Sequence, residues 1–113
     1  MHEYSIIQSL MARVEEEAVK HGAVSVQRIE LRVGEQAGVE IDLLTTAFET
    51  FRHGSICATA ELTVTPVPAK WRCPVCDYQL GQGDILLCKD CQLPAQLVAG
   101  DEIILDRIEM EAA

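Results

Sequence analysis

The stretch that decides how this chain is organised is Cys73-Pro74-Val75-Cys76 together with Cys88-Lys89-Asp90-Cys91, two Cys-x-x-Cys pairs separated by eleven residues. A two-residue gap lets both sulfurs of a pair reach one metal ion, and two such pairs supply a tetrahedral site of four sulfurs. Such a site has no open position for water or substrate. The spacing therefore predicts a small treble-clef-like or ribbon-like lobe that is held by a structural metal.

Zinc and iron both suit this set of soft thiolate ligands. A rubredoxin-like iron site that transfers electrons usually has a sheltered aromatic core, and here only Trp71 and Tyr78 lie near the cysteines in sequence. We therefore favour zinc. The fifth cysteine, Cys57, stands apart from the two pairs, and we interpret it as a small buried apolar residue.

On both sides of the lobe, the sequence alternates between apolar and polar residues as β-strands do. Residues 60–67 form the strand before it and residues 102–110 the strand after it, with a slip near Asp106 of the kind that a β-bulge produces. We expect the strand residues before Lys70 and after Gly100 to pair with each other in one sheet. The lobe is then an insertion in a larger domain.

Further towards the amino terminus, residues 6–19 have the apolar spacing of a helix, with Ser5 as a candidate cap and Gly22 at a typical stop position. Residues 24–33 alternate and predict a half-buried strand. Residues 34–40 then form a loop.

A second helix is predicted over residues 42–53, with Asp42 as its cap and Gly54 ending it. Its predicted apolar face consists of Leu43, Leu44, Ala47, Phe48 and Phe51. The fold class is therefore α+β: two helices packed on a small mixed or antiparallel sheet, with an inserted zinc-ribbon-like lobe that carries the four paired cysteines.

Charge and composition restrict the functions that are open to the chain. Eighteen acidic and nine basic residues give a net charge of −9, which disfavours nucleic-acid binding and favours cations or basic partners. No apolar run is long enough to span a membrane, and no signal peptide opens the chain. We expect a cytoplasmic protein with reduced thiols. Since no hydrolase helix or phosphate loop is present, we expect no enzyme.

The amino terminus, Met1-His2-Glu3, is a second candidate metal site. The terminal amine, the backbone nitrogen of His2 and its imidazole can close fused chelate rings around one ion, and Glu3 adds a carboxylate. Such nitrogen-rich surroundings suit Ni(II) or Cu(II). His21 and His53 lie near predicted helix ends, where interaction with the helix dipole explains them without a metal.

Four features in the same order resemble the HypA/HybF family of nickel metallochaperones for [NiFe]-hydrogenase maturation, and together they span essentially the whole chain. They are Met1-His2-Glu3 before a helix, Arg32-Val33-Gly34-Glu35, Ala47-Phe48-Glu49, and the paired Cys-x-x-Cys.

This resemblance implies a role for each candidate residue. His2 is the principal ligand of transferable Ni(II), supported by Glu3 and the terminal nitrogens. The structural Zn(II) is held by Cys73, Cys76, Cys88 and Cys91. Glu40 lies where many relatives have an acidic residue that can approach nickel and where some have an aspartate. It is either a nickel neighbour or a solvated loop carboxylate, and its longer side chain argues against direct ligation.

The resemblance also implies partners and boundaries. The expected partners are the GTPase HypB and the hydrogenase large-subunit precursor, and urease maturation proteins are further candidates because some relatives serve urease. We expect a nickel-binding α+β domain of residues 1–69 plus 99–113 and a zinc-binding domain of residues 70–98. The alternative function is a zinc-ribbon protein-interaction module without labile nickel.

Overall fold

The computed structural model describes residues 2–76, 79–80, 87–88 and 90–112, with His2 described for its backbone alone. Its elements, in chain order, are α1 (His2–Lys20), β1 (Ala23–Gly34), α2 (Ile41–Phe51), β2 (Glu61–Val67), β3 (Lys70–Arg72), β4 (Gln79–Leu80), β5 (Gln96–Ala99) and β6 (Ile103–Ala112).

Helix α1 buries the apolar stripe that the sequence predicts, namely Ile7, Leu10, Met11, Val14 and Ala18. The predicted start was wrong: the helix begins at His2, so Ser5 lies inside it and is not its cap. Apolar spacing starts only at Ile6 and does not reveal a polar first turn, in which Glu3 complements the helix dipole. Gly22 follows the helix with a φ of 63°, a left-handed conformation that glycine adopts without strain.

Strand β1 is the centre of a three-stranded mixed sheet in the order β2-β1-β6. It pairs in parallel with β2 and antiparallel with β6. The expectation that β2 and β6 pair with each other was therefore wrong, although they do share one sheet. Strand β1 is central because it has the most buried side chains of the three strands, namely Val26, Ile29, Leu31 and Val33.

The predicted bulge in the last strand is confirmed at Asp106. Glu30 pairs with Arg107 and Leu31 pairs with Leu105, which leaves Asp106 as the extra residue on β6. This explains the slip in the alternation of the sequence, because one added residue reverses the face on which later side chains lie.

Helix α2 is shorter than predicted. It runs from Ile41 to Phe51, with Glu40 as the N-cap residue and Arg52 as the C-cap residue, so Asp42 lies in the first turn and His53 lies beyond the end. Sequence spacing fixes the apolar face of a helix better than its ends.

The predicted apolar face of α2 is largely confirmed. Leu44, Ala47 and Phe48 are buried, and Phe51 is half-buried beside the ring of Tyr4 from α1. Leu43 is the exception, since 51% of its surface is exposed. The two helices and the apolar face of β1 thereby form one core. We use the name helix–sheet body for α1, α2 and the three-stranded sheet of β1, β2 and β6.

The second sheet is small and antiparallel, in the order β4-β3-β5. It lies between β2 and β6 in the chain, as expected for an inserted lobe, and it pairs Trp71 with both Leu80 and Leu97. The glycines at positions 81 and 83 predict turns between the two cysteine pairs, and both positions lie outside the described residues. The α+β class, with two helices and an inserted four-cysteine lobe, is confirmed.

Candidate metal centres

The four paired cysteines come together in the turns beside the small sheet. We call this sheet and its adjoining turns the cysteine lobe; it comprises the described residues between 70 and 99. Cys73 and Cys76 follow β3, and Cys88 and Cys91 lie shortly before β5. All four Sγ atoms lie within 4.8 Å of one another. Within the described part of the chain, no other group of three or more His, Cys, Asp or Glu side chains is placed to hold a metal.

The dimensions of this cluster fit a zinc ion. A Zn–S bond of about 2.3 Å in a regular tetrahedron separates neighbouring sulfurs by about 3.8 Å. The Sγ atoms of Cys73 and Cys91 are 3.3 Å apart, and the limit of 4.8 Å contains the whole set. When bound, zinc would supply a dication that neutralises thiolates and closes the coordination.

The electrostatics of the sulfurs also favour a bound cation. The backbone N–H of Cys76 donates to Sγ of Cys73 over 3.3 Å, which lowers the pKa of the Cys73 thiol to about 7. Hydrogen bonding with the sulfurs of Cys91 and Cys88 instead raises the pKa of the Cys76 thiol to about 12. Close thiolates repel one another, so the cluster reaches its fully ionised form only with a cation among the sulfurs.

The amino-terminal candidate site is described in part. His2 starts α1, but its side chain and Met1 lie outside the described residues. Glu3 is 7% exposed, and one of its carboxylate oxygens accepts a hydrogen bond from the backbone N–H of Glu40 over 3.2 Å. The backbone N–H groups of Glu3 itself and of Glu40 hold the pKa of the Glu3 carboxyl below its usual value.

This contact brings Glu3 and Glu40 together in an unexpected way. The backbone of Glu40 bonds Glu3, whereas the Glu40 side chain is exposed. Glu40 also makes no side-chain cap to α2, so the Glu3 carboxylate places a negative charge at that helix start. Sequence reasoning missed the contact, because 37 positions separate the two residues and no local pattern marks it.

The remaining histidines and Cys57 lie elsewhere. Nε2 of His21 is 3.7 Å from a carboxylate oxygen of Glu17, and His53 lies in the turn after α2. Cys57 is fully buried, as predicted, and burial raises the pKa of its thiol to about 11.

The arrangement of two helices, a mixed sheet and a four-cysteine lobe has counterparts among known proteins. The family model for HypA, a hydrogenase/urease nickel incorporation metallochaperone, matches residues 1–110. The chain belongs to the HypA family. This confirms the resemblance inferred from the motifs and makes the chain a member of a family of hydrogenase maturation factors.

Relatives and solved structures agree with the family model. The hydrogenase maturation factor HypA of Wolinella succinogenes is 41% identical, with 99% of this chain and 97% of the relative covered. The HypA of Shewanella oneidensis is 38% identical, with 100% and 98% covered. The solution structure of the Ni metallochaperone HypA from Helicobacter pylori superposes with a TM-score of 0.75 at 31% identity, covering 98% of each chain. Another HypA solution structure gives 0.79 at 32% identity, covering 100% of this chain and 98% of that one.

Membrane insertion through a helix finds no support in the described residues, since no helix among them is both long and apolar enough to cross a bilayer. Membership of the HypA family implies hydrogenase-related partners.

Proposed function

We propose that this chain binds Ni(II) at its amino terminus and delivers it to the [NiFe]-hydrogenase large-subunit precursor, while zinc in the four-cysteine cluster keeps the lobe folded. The observation that carries this proposal is the family match over residues 1–110, which includes the amino-terminal His2. The donor chemistry supports it. Nitrogen ligands at the chain end suit Ni(II), and the four-sulfur cluster suits zinc.

In this proposal His2 is the principal nickel ligand, together with the terminal nitrogens. Such a site can release its cargo, because its ligands can be exchanged one at a time at the end of the chain. Glu3 supports the site, and its bond to the N–H of Glu40 holds the first turn of α1 against the start of α2. Glu40 itself is placed as a neighbour of the nickel site, because its backbone N–H donates to the Glu3 carboxylate while its own side chain is exposed.

The two metals belong to two domains under this proposal. Residues 1–69 plus 99–113 form the nickel-binding domain and residues 70–98 form the zinc-binding domain. Pairing of β3 with β5 supports a lobe closed on itself. The proposed partners are the GTPase HypB as the nickel source and the large-subunit precursor as the recipient, in the cytoplasm. Urease maturation proteins are candidate partners of the same site.

Calorimetric titration with Ni(II) tests the nickel site on untagged, zinc-loaded protein. The wild type should bind one nickel per chain. His2→Ala should weaken binding by more than about 100-fold, since even substitutions behind the ligands of a metal site cost about 10–100-fold. His21→Ala is the matched control, because His21 pairs with Glu17 on the far end of α1, and it should bind like the wild type. Equal binding by His2→Ala and the wild type would refute the site.

Dependence on pH provides a second test of the same ligand. A histidine must be neutral to bind metal, and the ordinary imidazole pKa is about 6.5. Nickel affinity should therefore fall as the pH drops below about 6.5, and the residual binding of His2→Ala should lack this step.

An amino-terminal extension separates nickel delivery from the alternative of a zinc-ribbon interaction module. Extra residues before Met1 replace the terminal amine by an amide, so they should abolish tight nickel binding and hydrogenase maturation. A module that acts through its cysteine lobe alone would tolerate them.

A further inference from the structure

Residues 34–36, the last residue of β1 and the two that follow it, belong to neither proposed metal site, yet they make a dense set of contacts. Each of its three backbone N–H groups donates to a carbonyl oxygen at a distance of 2.7 or 2.8 Å. The pairs are Gly34 with Glu102, Glu35 with Val67, and Gln36 with Gly100. These acceptors are not members of one element.

The acceptors belong to the two chain segments that join the cysteine lobe to the helix–sheet body. Val67 ends β2 at the entry to the lobe, whereas Gly100 and Glu102 lie between β5 and β6 at its exit. One three-residue segment of the body therefore binds both connecting segments.

The Glu35 side chain strengthens the entry side. One of its carboxylate oxygens accepts a hydrogen bond from the backbone N–H of Ala69 over 3.1 Å, one residue before β3 begins. Together with its own N–H bond to Val67, Glu35 holds the entering segment at two points.

The exit side is held by close backbone packing. A Cβ atom added at Gly34 would lie 2.2 Å from the carbonyl carbon and oxygen of Gly100, so the two backbones touch. A Cβ added at Gly100 would lie 2.6 Å from Cα of Ala69, and the φ of Gly100 is 94°. Glycine is required at both positions, and the entering and leaving segments are in contact with each other.

We propose that Glu35 is a positioning residue that fixes the orientation of the cysteine lobe on the helix–sheet body. Gly34 and Gly100 bring three chain segments into backbone contact, and the Glu35 carboxylate ties down the segment that enters the lobe. We call this meeting point of the three segments the junction. The loop that leaves it after Gln36 ends at Glu40, whose backbone N–H donates to the Glu3 carboxylate. The junction therefore sets where the lobe lies relative to the amino-terminal site.

Residual dipolar couplings of backbone amides in zinc-loaded, nickel-free protein test the proposal, because they report the relative orientation of two folded parts. In the wild type, one alignment tensor should fit the couplings of both the body and the lobe. In Glu35→Ala, each part should still fit a tensor of its own, but the common tensor should be lost and the lobe couplings should shrink.

Two matched variants complete the experiment. Glu35→Gln keeps an oxygen that can accept from Ala69 and should restore the common tensor. Gln36→Ala keeps the backbone N–H that bonds Gly100 and should behave like the wild type. A common tensor in Glu35→Ala would overturn the proposal. Because no nickel is present, this outcome would leave the proposed nickel function untouched, and a failed nickel titration would leave the positioning role untouched.

Discussion

In the helix–sheet body the fully buried side chains include Phe48, Ile7 and Ile29, whereas in the cysteine lobe Val75 is 70% exposed and Leu87 is 47% exposed. The buried residues in the described part of the lobe are two cysteines and one leucine, namely Cys73, Cys88 and Leu80. The interior of the body is largely hydrocarbon, while that of the lobe is largely sulfur. Burial therefore stabilises the body, whereas the proposed zinc ion would hold the lobe together.

Removal of zinc should have the largest effect, and it should be confined to the lobe. Structural zinc contributes on the order of 10 kcal/mol in small domains of this kind. Trp71, the one tryptophan of the chain, lies on β3 and reports the lobe, while far-ultraviolet circular dichroism reports α1 and α2. A chelator should shift the Trp71 emission to the red and leave the helical signal largely intact. Simultaneous loss of both signals would mean that the two regions share one source of stability.

Truncation of a side chain in the core of the body should have the reverse effect: it should destabilise the body and leave zinc bound to the lobe. Phe48 is 0% exposed, so Phe48→Ala should lower the free energy of unfolding by about 3–5 kcal/mol. Urea unfolding followed by circular dichroism measures this loss, and elemental analysis in the absence of urea should still find one zinc per chain.

Leu43→Ala is the matched control for that variant, because Leu43 lies on the same helix but is 51% exposed. It should change stability by no more than about 0.5 kcal/mol. Loss of zinc from Phe48→Ala in its folded form would contradict the independence of the two regions.

Cys57 differs from the other four cysteines, since it lies in the core of the body. Burial raises its pKa from 9.0 to about 11, so near neutral pH its thiolate fraction is about 100-fold lower than that of an ordinary thiol. In chelated protein the four lobe cysteines should react rapidly with an alkylating agent, and Cys57 should react only when the body unfolds. Peptide mass mapping distinguishes the sites. Rapid labelling of Cys57 in a folded body would contradict its burial.

The same pKa shift has a consequence for alkaline stability. The Cys57 thiol stays protonated in the fold up to about pH 11, whereas in the unfolded chain it ionises near 9.0. Its contribution is therefore fully present below pH 9 and is lost as the pH rises towards 11. Cys57→Ala has no group that ionises there, so its stability should fall less steeply over this range.

Local patterns predicted most of the fold, and the misses were the order of the strands and the ends of the helices. The spacing of Ile7, Leu10 and Val14 gave the buried stripe of α1, and the slip at Asp106 gave the bulge. The sheet order was missed, because alternation marks a strand without naming its neighbours. Helix ends were missed for a different, local reason: the start of α2 at Ile41 depends on the extended backbone of the preceding residue, Glu40, which apolar spacing does not mark.

In the candidate sites, too, local spacing was predictable from the sequence and long-range contacts were not. The two-residue gaps between Cys73 and Cys76 and between Cys88 and Cys91 predicted a cluster, because a short gap fixes distance locally. The role of His2 rested on family resemblance and stays a prediction. The bond between Glu3 and the N–H of Glu40 could not be predicted, since folding brings the two segments together.

X-ray absorption spectroscopy of protein loaded with both metals tests the assignment of zinc to the lobe and nickel to the amino terminus most directly, because the zinc and nickel edges report each site separately. At the zinc edge we expect four sulfur neighbours at about 2.3 Å. At the nickel edge we expect nitrogen and oxygen neighbours without sulfur, and His2→Ala should lose the imidazole contribution. Sulfur bound to nickel, or a zinc shell that lacks four sulfurs, would contradict the assignment of the two sites.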